Sequence, residues 1–327
     1  MPINPVLVSY SDLAYGTALI IYLLALVLHA VEYAADRIPA GTAGRPGAGD
    51  DGPVATLAPV AGSPPRRKAE RIGRCAIALT GLAMLLHGGS LVLRGAAIGR
   101  VPWANMYEFT SAICWVAVAG WLVALYRQRR VPENDPVPLT GAVPLAGAAS
   151  LRWLGGFVLL PVVVLMFLGG TVLYARAAPL IPALNSYWIT IHVSAAITAT
   201  GIFLVSGMAS VLYLISTSAG SWLPDRATFD RLAYRAAVVA FPIWTFAIIT
   251  GAIWAEAAWG RYWGWDPKET CALVAWVVYA GYLHARATAG WRGSAAAWVN
   301  VVGFAVMLFN LFFVNIVVAG WHSYAGV

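Results

Sequence analysis

Apolar runs of about twenty residues recur along this chain, separated by shorter polar stretches. A run of that length crosses the hydrocarbon core of a bilayer as a helix. Eight spans are predicted: Leu13–Tyr33, Ile72–Leu93, Asn105–Tyr126, Trp153–Tyr174, Trp188–Ser216, Ala236–Ala255, Glu269–Ala287 and Ala296–Ala319. The expected fold class is all-α, a polytopic helical membrane bundle. The first run follows "MPINPVLVSYSD", which lacks a basic n-region, so it is expected to span rather than to be cleaved.

Two regions are expected. Residues 1–71 hold the first span and a Pro-, Gly- and Ala-rich loop without aromatics, which reads as flexible. Residues 72–327 form the core, with a tryptophan-rich loop at about 254–269.

Composition agrees with a membrane protein. Hydrophobic residues make up 60% of the chain, against about 45–50% in soluble domains. The net charge is +7. Of 21 Lys and Arg, sixteen fall in the loops after spans one, three, five and seven; only Arg94, Arg100, Arg176, Arg261 and Lys268 fall on the other side. The excess is therefore topogenic, and no nucleic-acid partner is expected. Both termini should face outward, and the loop between spans six and seven with them. Cys75, Cys114 and Cys271 form no CxxC pair, which excludes a thioredoxin-like site and covalent c-haem attachment to this chain.

The chemistry concentrates in few residues. Trp254, Trp259, Trp263 and Trp265 crowd into the stretch "WAEAAWGRYWGWDPKET". There are five histidines. His192 and His322 should lie at the outer face, level with the tryptophans. His87, His284 and His29 should lie within the membrane, His29 near the inner end and one turn from Glu32. A histidine at membrane depth is a functional candidate, although one bonded to a neighbouring helix is as common, and that plainer role suits His29 best.

Two imidazoles and several indoles at one surface suit haem. Imidazole is a common axial ligand for its iron, and indole faces cover a flat apolar plate well. Zinc would require three or four close ligands, and the loop has no Cys/His cluster. An interfacial aromatic belt explains Trp103, Trp153, Trp188 and Trp222 but not four tryptophans interleaved with Gly260 and Gly264. "DPKE" reads as a helix start, with Asp266 at the N-cap, Pro267 at N1 and Glu269 at N3. On that reading Asp266 aims the loop and need not touch a ligand. Lys268 and Arg261 are the nearest cations for haem propionates.

"WGRYWGWDPKET" resembles the WWD signature of haem-handling proteins, and from about His87 onward the chain resembles the CcsA (ResC) branch of System II cytochrome c biogenesis, called CcsB in some lineages. "LLHGGSLVLRGAAIGRVPWANMYEF", "YWITIHVS", "YLHAR" and "GWHSY" carry the likeness; His29 has no counterpart. The resemblance implies that His87 and His284 ligate haem b in the bilayer, and that His192 and His322 ligate it beneath the loop of Trp254, Trp259, Trp263, Trp265 and Asp266. It implies haem transport across the bacterial cytoplasmic membrane and presentation to CxxCH apocytochromes, whose thiols add to the vinyl groups while the iron is reduced. The chain would then be part of a haem-lyase complex, with a ResB/CcsB-type membrane subunit and a thioredoxin-like thiol reductant. No catalytic residue is assigned. At 1.5 Å per residue His87 and His284 sit at different depths, so shared ligation requires tilted or broken helices. A b-type electron-transfer cytochrome and a CcmC-like System I haem carrier are the competing readings.

Overall fold

The computed structural model describes residues 3–35, 64–130, 152, 154–179, 184–216, 226–288, 290–318 and 320–322. Trp153, Trp222 and the expected flexible loop up to residue 63 lie outside these residues; the last part of that loop, 64–71, is helical and begins α2, because after Pro64 and Pro65 no breaker interrupts it. The described residues contain no strand. Eight long helices follow in order: α1 Pro5–Ala35, α2 Pro64–Ile98, α3 Met106–Arg130, α4 Leu154–Thr171, α5 Tyr187–Ile215, α6 Arg226–Trp259, α7 Pro267–Thr288 and α8 Ser294–Leu308. A π-helical turn, Phe309–Phe313, and a last helical turn, Val314–Ile316, continue α8.

Seven of the eight are long and apolar enough to cross a membrane. The exception is α7. It has 22 residues, but Lys268, Glu269, His284 and Arg286 dilute its apolar character. Several helices also outrun the predicted spans. In α6 nothing breaks the helix at Ala255, and it runs on to Trp259, so Trp254 and Trp259 are helical rather than part of a loop.

The buried positions of α1 are Ser11, Tyr15, Ala18, Tyr22, Ala25, His29 and Glu32, alternating steps of four and three. On α2, Ala76, Thr80, Ala83, His87, Ser90, Arg94 and Ala97 repeat the same steps. That spacing keeps one stripe of each helix facing the other in an antiparallel supercoiled pair. Small residues let the backbones approach: a Cβ on Gly73 would collide with the Glu32 carboxylate. α3 and α4 pack beside this pair, and α5 links the halves by packing on α3 as well as on α6 and α8.

The chain reverses at each connection, so loops gather at two ends. One end holds the start of α1, where Asn4 N donates to Ala97 O at 3.0 Å, and the start of α3. There Glu108, fully buried, accepts from Arg94 Nε at 3.1 Å and Arg100 Nη1 at 2.9 Å. The same end carries the α6–α7 connection and residues 320–322. The opposite end holds Glu32, which pairs with Arg152 at 2.8 Å and lies 3.6 Å from His29 Nδ1.

Candidate functional site

The C-terminal turns of α6 bring Trp254 and Trp259 to the first of these ends. Gly260, at φ +72°, lets the chain leave the helix. Five residues later Trp265 sits at φ +58°, a costly conformation for a bulky side chain, and the residue after it, Asp266, caps α7. Lys268 N donates to Asp266 Oδ2 at 3.1 Å, and Asp266 N donates to Glu269 Oε2 at 3.1 Å. This reciprocal pair is a capping box with Asp as the cap.

The cap carboxylate also reaches across the fold. Its Oδ1 accepts from Trp321 N at 2.7 Å, and Oδ2 faces His322 Nδ1 at 2.8 Å. Burial alone would raise the Asp266 pKa, but the bonds from His322, Trp321 and Lys268 hold it below the ordinary carboxylate value. An ionised carboxylate only accepts, so His322 donates from Nδ1, and in the neutral ring the lone pair is then on Nε2.

His192 has the same arrangement. Its Nδ1 lies 2.7 Å from Ala247 O on α6. A carbonyl cannot donate, so Nδ1 is again the protonated nitrogen. The ring lies against Gly251, where a Cβ would come within 2.7 Å of it. Trp254, 1% exposed, packs on both histidines: its ring is parallel to His192 with centroids 6.2 Å apart and edge-on to His322 at 5.7 Å. Trp259 supports His322 from another side at 5.2 Å.

Both histidines line one cavity of about 190 Å³, together with Trp254, Trp263, Lys268 and Arg100. Deeper walls come from Thr200, Trp244, Met307, Asn310 and Leu311. Thr200 lies eight residues beyond His192 on α5, about 12 Å along the axis at 1.5 Å per residue. Lys268 Nζ donates to Asn315 Oδ1 at 2.7 Å, and Asn315 Nδ2 donates to Leu311 O at 2.6 Å, a carbonyl of the π-helical turn.

The expected site residues therefore separate. His192, His322, Trp254 and Trp263 share the cavity wall. Trp259 and Trp265 are not on it; Trp265 is 69% exposed and meets Trp263 edge-on at 5.8 Å. Asp266 acts on His322 rather than on the cavity. Lys268 lines the cavity, whereas the Arg261 guanidinium rests on the Trp321 ring at 4.6 Å. Arg100, from the other half of the bundle, was not legible as a cavity residue. His87 and His284 are not brought together: His87 is fully buried between α1 and α3, and His284 is exposed on α7, which packs on α6 and α8.

Chemically, two imidazoles oriented through Nδ1 present Nε2 as the ligating nitrogen, the usual arrangement of metal-binding histidines. Among the described residues no group of three or more His, Cys, Asp or Glu could hold a metal ion. The pair suits a metal whose remaining ligands come from its own flat macrocycle, against walls largely apolar and aromatic.

The model of one protein family, described as cytochrome C assembly protein, matches residues 103–322. The chain belongs to the CcsA family of cytochrome c assembly proteins. The cytochrome c biogenesis protein CcsA of Synechococcus sp. (strain CC9605) is 34% identical over 276 residues, covering 75% of this chain and 85% of the relative. That of Parasynechococcus marenigrum (strain WH8102) is 35% identical with the same coverage. The Chlamydomonas reinhardtii protein is 32% identical over 251 residues, covering 75% of this chain and 67% of the relative. Membership gives this CcsA-family chain a role in cytochrome c maturation, carried out by a multi-pass helical membrane protein. The matched segment contains His192, His284, His322 and every cavity residue except Arg100 and Val101; α1, α2 and His87 precede it.

Proposed function

We propose that the cavity holds haem b between His192 and His322 and offers it to the CxxCH thiols of apocytochromes c. The observation that carries this reading is the common cavity wall of two imidazoles, each bonded through Nδ1 and each in contact with Trp254. Trp254 and Trp263 supply flat apolar wall, and Lys268 and Arg100 supply positive charge for the haem carboxylates. Haem is the substrate here. Thiol addition to its vinyl groups consumes no residue of this chain; the chain's part is to bind, orient and shield it until an acceptor histidine displaces one imidazole.

On this proposal the tryptophan end faces outward, because it carries the fewer basic residues, and the protein sits in the bacterial cytoplasmic membrane. His87 and His284 form an earlier station for haem leaving the cytoplasm. Their separate helix groups favour sequential or mobile binding over one fixed site. A ResB/CcsB-type subunit and a thioredoxin-like reductant complete the System II machinery, and ligation takes place in that complex. The test is purification from a haem-replete host followed by absorption spectroscopy. A b-type Soret band that weakens in His192→Ala and His322→Ala is expected. Folded protein without any Soret band would reject the reading.

A further inference from the structure

Toward the tryptophan end, the last apolar run carries two asparagines, Asn310 and Asn315, five residues apart. In a straight α-helix, at 3.6 residues per turn, residues five apart fall on different faces. The π-helical turn Phe309–Phe313 changes that. Its hydrogen bonds run from i to i+5, so residues five apart come close to one line. Both asparagines line the cavity, with Asn310 about 7 Å deeper at 1.5 Å per residue.

The two differ in what they bond. Asn315 Oδ1 accepts from Lys268 Nζ, and its Nδ2 donates to Leu311 O. Asn310 is 5% exposed, and its Oδ1 is buried without a hydrogen-bond partner among the described residues. A buried amide left so costs free energy unless something in the cavity meets it.

Charge on the cavity wall is uneven. Its titratable groups are Arg100, His192, Tyr262, Lys268, Glu269 and His322, all toward the tryptophan end. The α5, α6 and α8 walls at depth, Thr200, Trp244, Met307 and Leu311, carry none. Arg100 adds to the positive potential, but its terminal nitrogens already donate to Glu108 and to the carbonyls of Val101 and Ala178. Lys268 bonds a neutral oxygen and so has its charge to offer.

Haem b carries two carboxyl side chains, next to each other on one edge of the ring. With one on Lys268, the other reaches the level of Asn310, where no cation stands among the described residues. An ionised carboxyl buried without counter-charge is costly and takes a proton instead. The uncharged acid matches a primary amide bond for bond: its O–H donates to Oδ1, and its carbonyl accepts from Nδ2.

We propose that the cavity seats haem with its carboxyl edge along α8, one carboxylate on Lys268 and the other, as the uncharged acid, on the Asn310 amide. Asn310 is then a specificity-determining residue, and the vinyl-bearing edge is turned away from α8. The proposal rests on the reading that His192 and His322 hold haem in this cavity, and the experiment separates the two.

A carboxyl that is ionised in water at neutral pH but bound as the acid takes up one proton on binding. Affinity then falls about tenfold for each pH unit of rise. The probes are haem b and its dimethyl ester, which has no such proton to take up. Each is titrated into the purified full-length chain, followed by the Soret band, from about pH 6 to about pH 7.5. Their affinity ratio cancels titrations of the protein common to both. The ratio of haem to ester is expected to fall about tenfold per pH unit in the wild type and to flatten in Asn310→Leu. That variant removes an amide oxygen without a protein partner, so its unfolding temperature without haem should not fall. An unchanged slope in Asn310→Leu overturns the role of Asn310. A flat ratio in the wild type, with His192→Ala and His322→Ala still lowering both affinities, overturns the acid–amide pair and leaves the haem site standing. Binding of neither porphyrin, or binding that both alanine variants leave unchanged, overturns both.

Discussion

Asp266 holds His322 by a bond of 2.8 Å from Nδ1 to Oδ2, across 56 residues of sequence. The same carboxylate caps α7 and accepts from Trp321 N at 2.7 Å. One side chain thus sets both the start of a helix and the orientation of a proposed ligand. As a cap alone, Asp266 would tolerate Asn. With both carboxylate oxygens in use, it should not: Asn offers one acceptor oxygen and turns an N–H₂ toward a donor. Asp266→Asn is expected to lower haem affinity about 10–100-fold, the usual cost of losing the partner of a ligating histidine. Asp266→Ala should add a helix-start loss of about 0.5–2 kcal/mol. Haem titration beside thermal unfolding separates the two effects; wild-type affinity in Asp266→Asn would refute the orienting role.

The same carboxylate gives a pH dependence with a definite sign. Its pKa in the fold is lowered. Its contribution is therefore complete above the unfolded-state carboxylate value and is lost as pH falls through the lower folded value. Haem retention is expected to hold through mild acid and to drop only below the ordinary carboxylate range. In Asp266→Asn that drop should be absent, as read by the Soret band across an acid titration.

Gly251 tests the other histidine. A methyl group there would fall 2.7 Å from His192 Cε1 and Nδ1, so the ring must leave Ala247 O. Gly251→Ala is expected to approach His192→Ala in haem loss, with normal protein levels in the membrane. Full haem content would show that His192 has room the packing denies it.

The tryptophans should not be equivalent. Trp254 is buried against both histidines, whereas Trp265 is 69% exposed. Trp254→Ala is expected to cost about 3–5 kcal/mol, as for other buried aromatics, and to lose haem. Trp265→Ala should leave haem content near wild type. Parallel haem assays and melting curves on the two variants decide this.

The sequence displayed what is local and repetitive. Apolar runs of spanning length exposed the helices, and the one that fell short, α7, was diluted by the charged residues at its ends. The capping box from Asp266 to Glu269 was readable because all its members lie within one turn. Helix ends were less so: α6 continues through Glu256 to Trp259 because no breaker precedes Gly260. What stayed hidden were the contacts between distant segments. Nothing near Asp266 announces His322, and nothing near Arg100 announces a cavity shared with α5 to α8. The gathering of His192, Trp254 and His322 needs the packing of three helices, which periodicity does not supply. His87 and His284 show the opposite case. Each reads alike as a histidine within the membrane, yet His87 is fully buried in the helix packing and His284 lies on an exposed helix face.

The most direct test of the haem site is ligand replacement. His192→Ala and His322→Ala each vacate one axial position, and free imidazole is small enough to fill it. The measurement is holocytochrome c yield in cells that carry each variant, with and without added imidazole and with the partner subunit present. The account predicts near-complete loss in both variants and partial recovery with imidazole, accompanied by return of a low-spin haem spectrum in the purified protein. Wild-type yield in either variant without imidazole would contradict it.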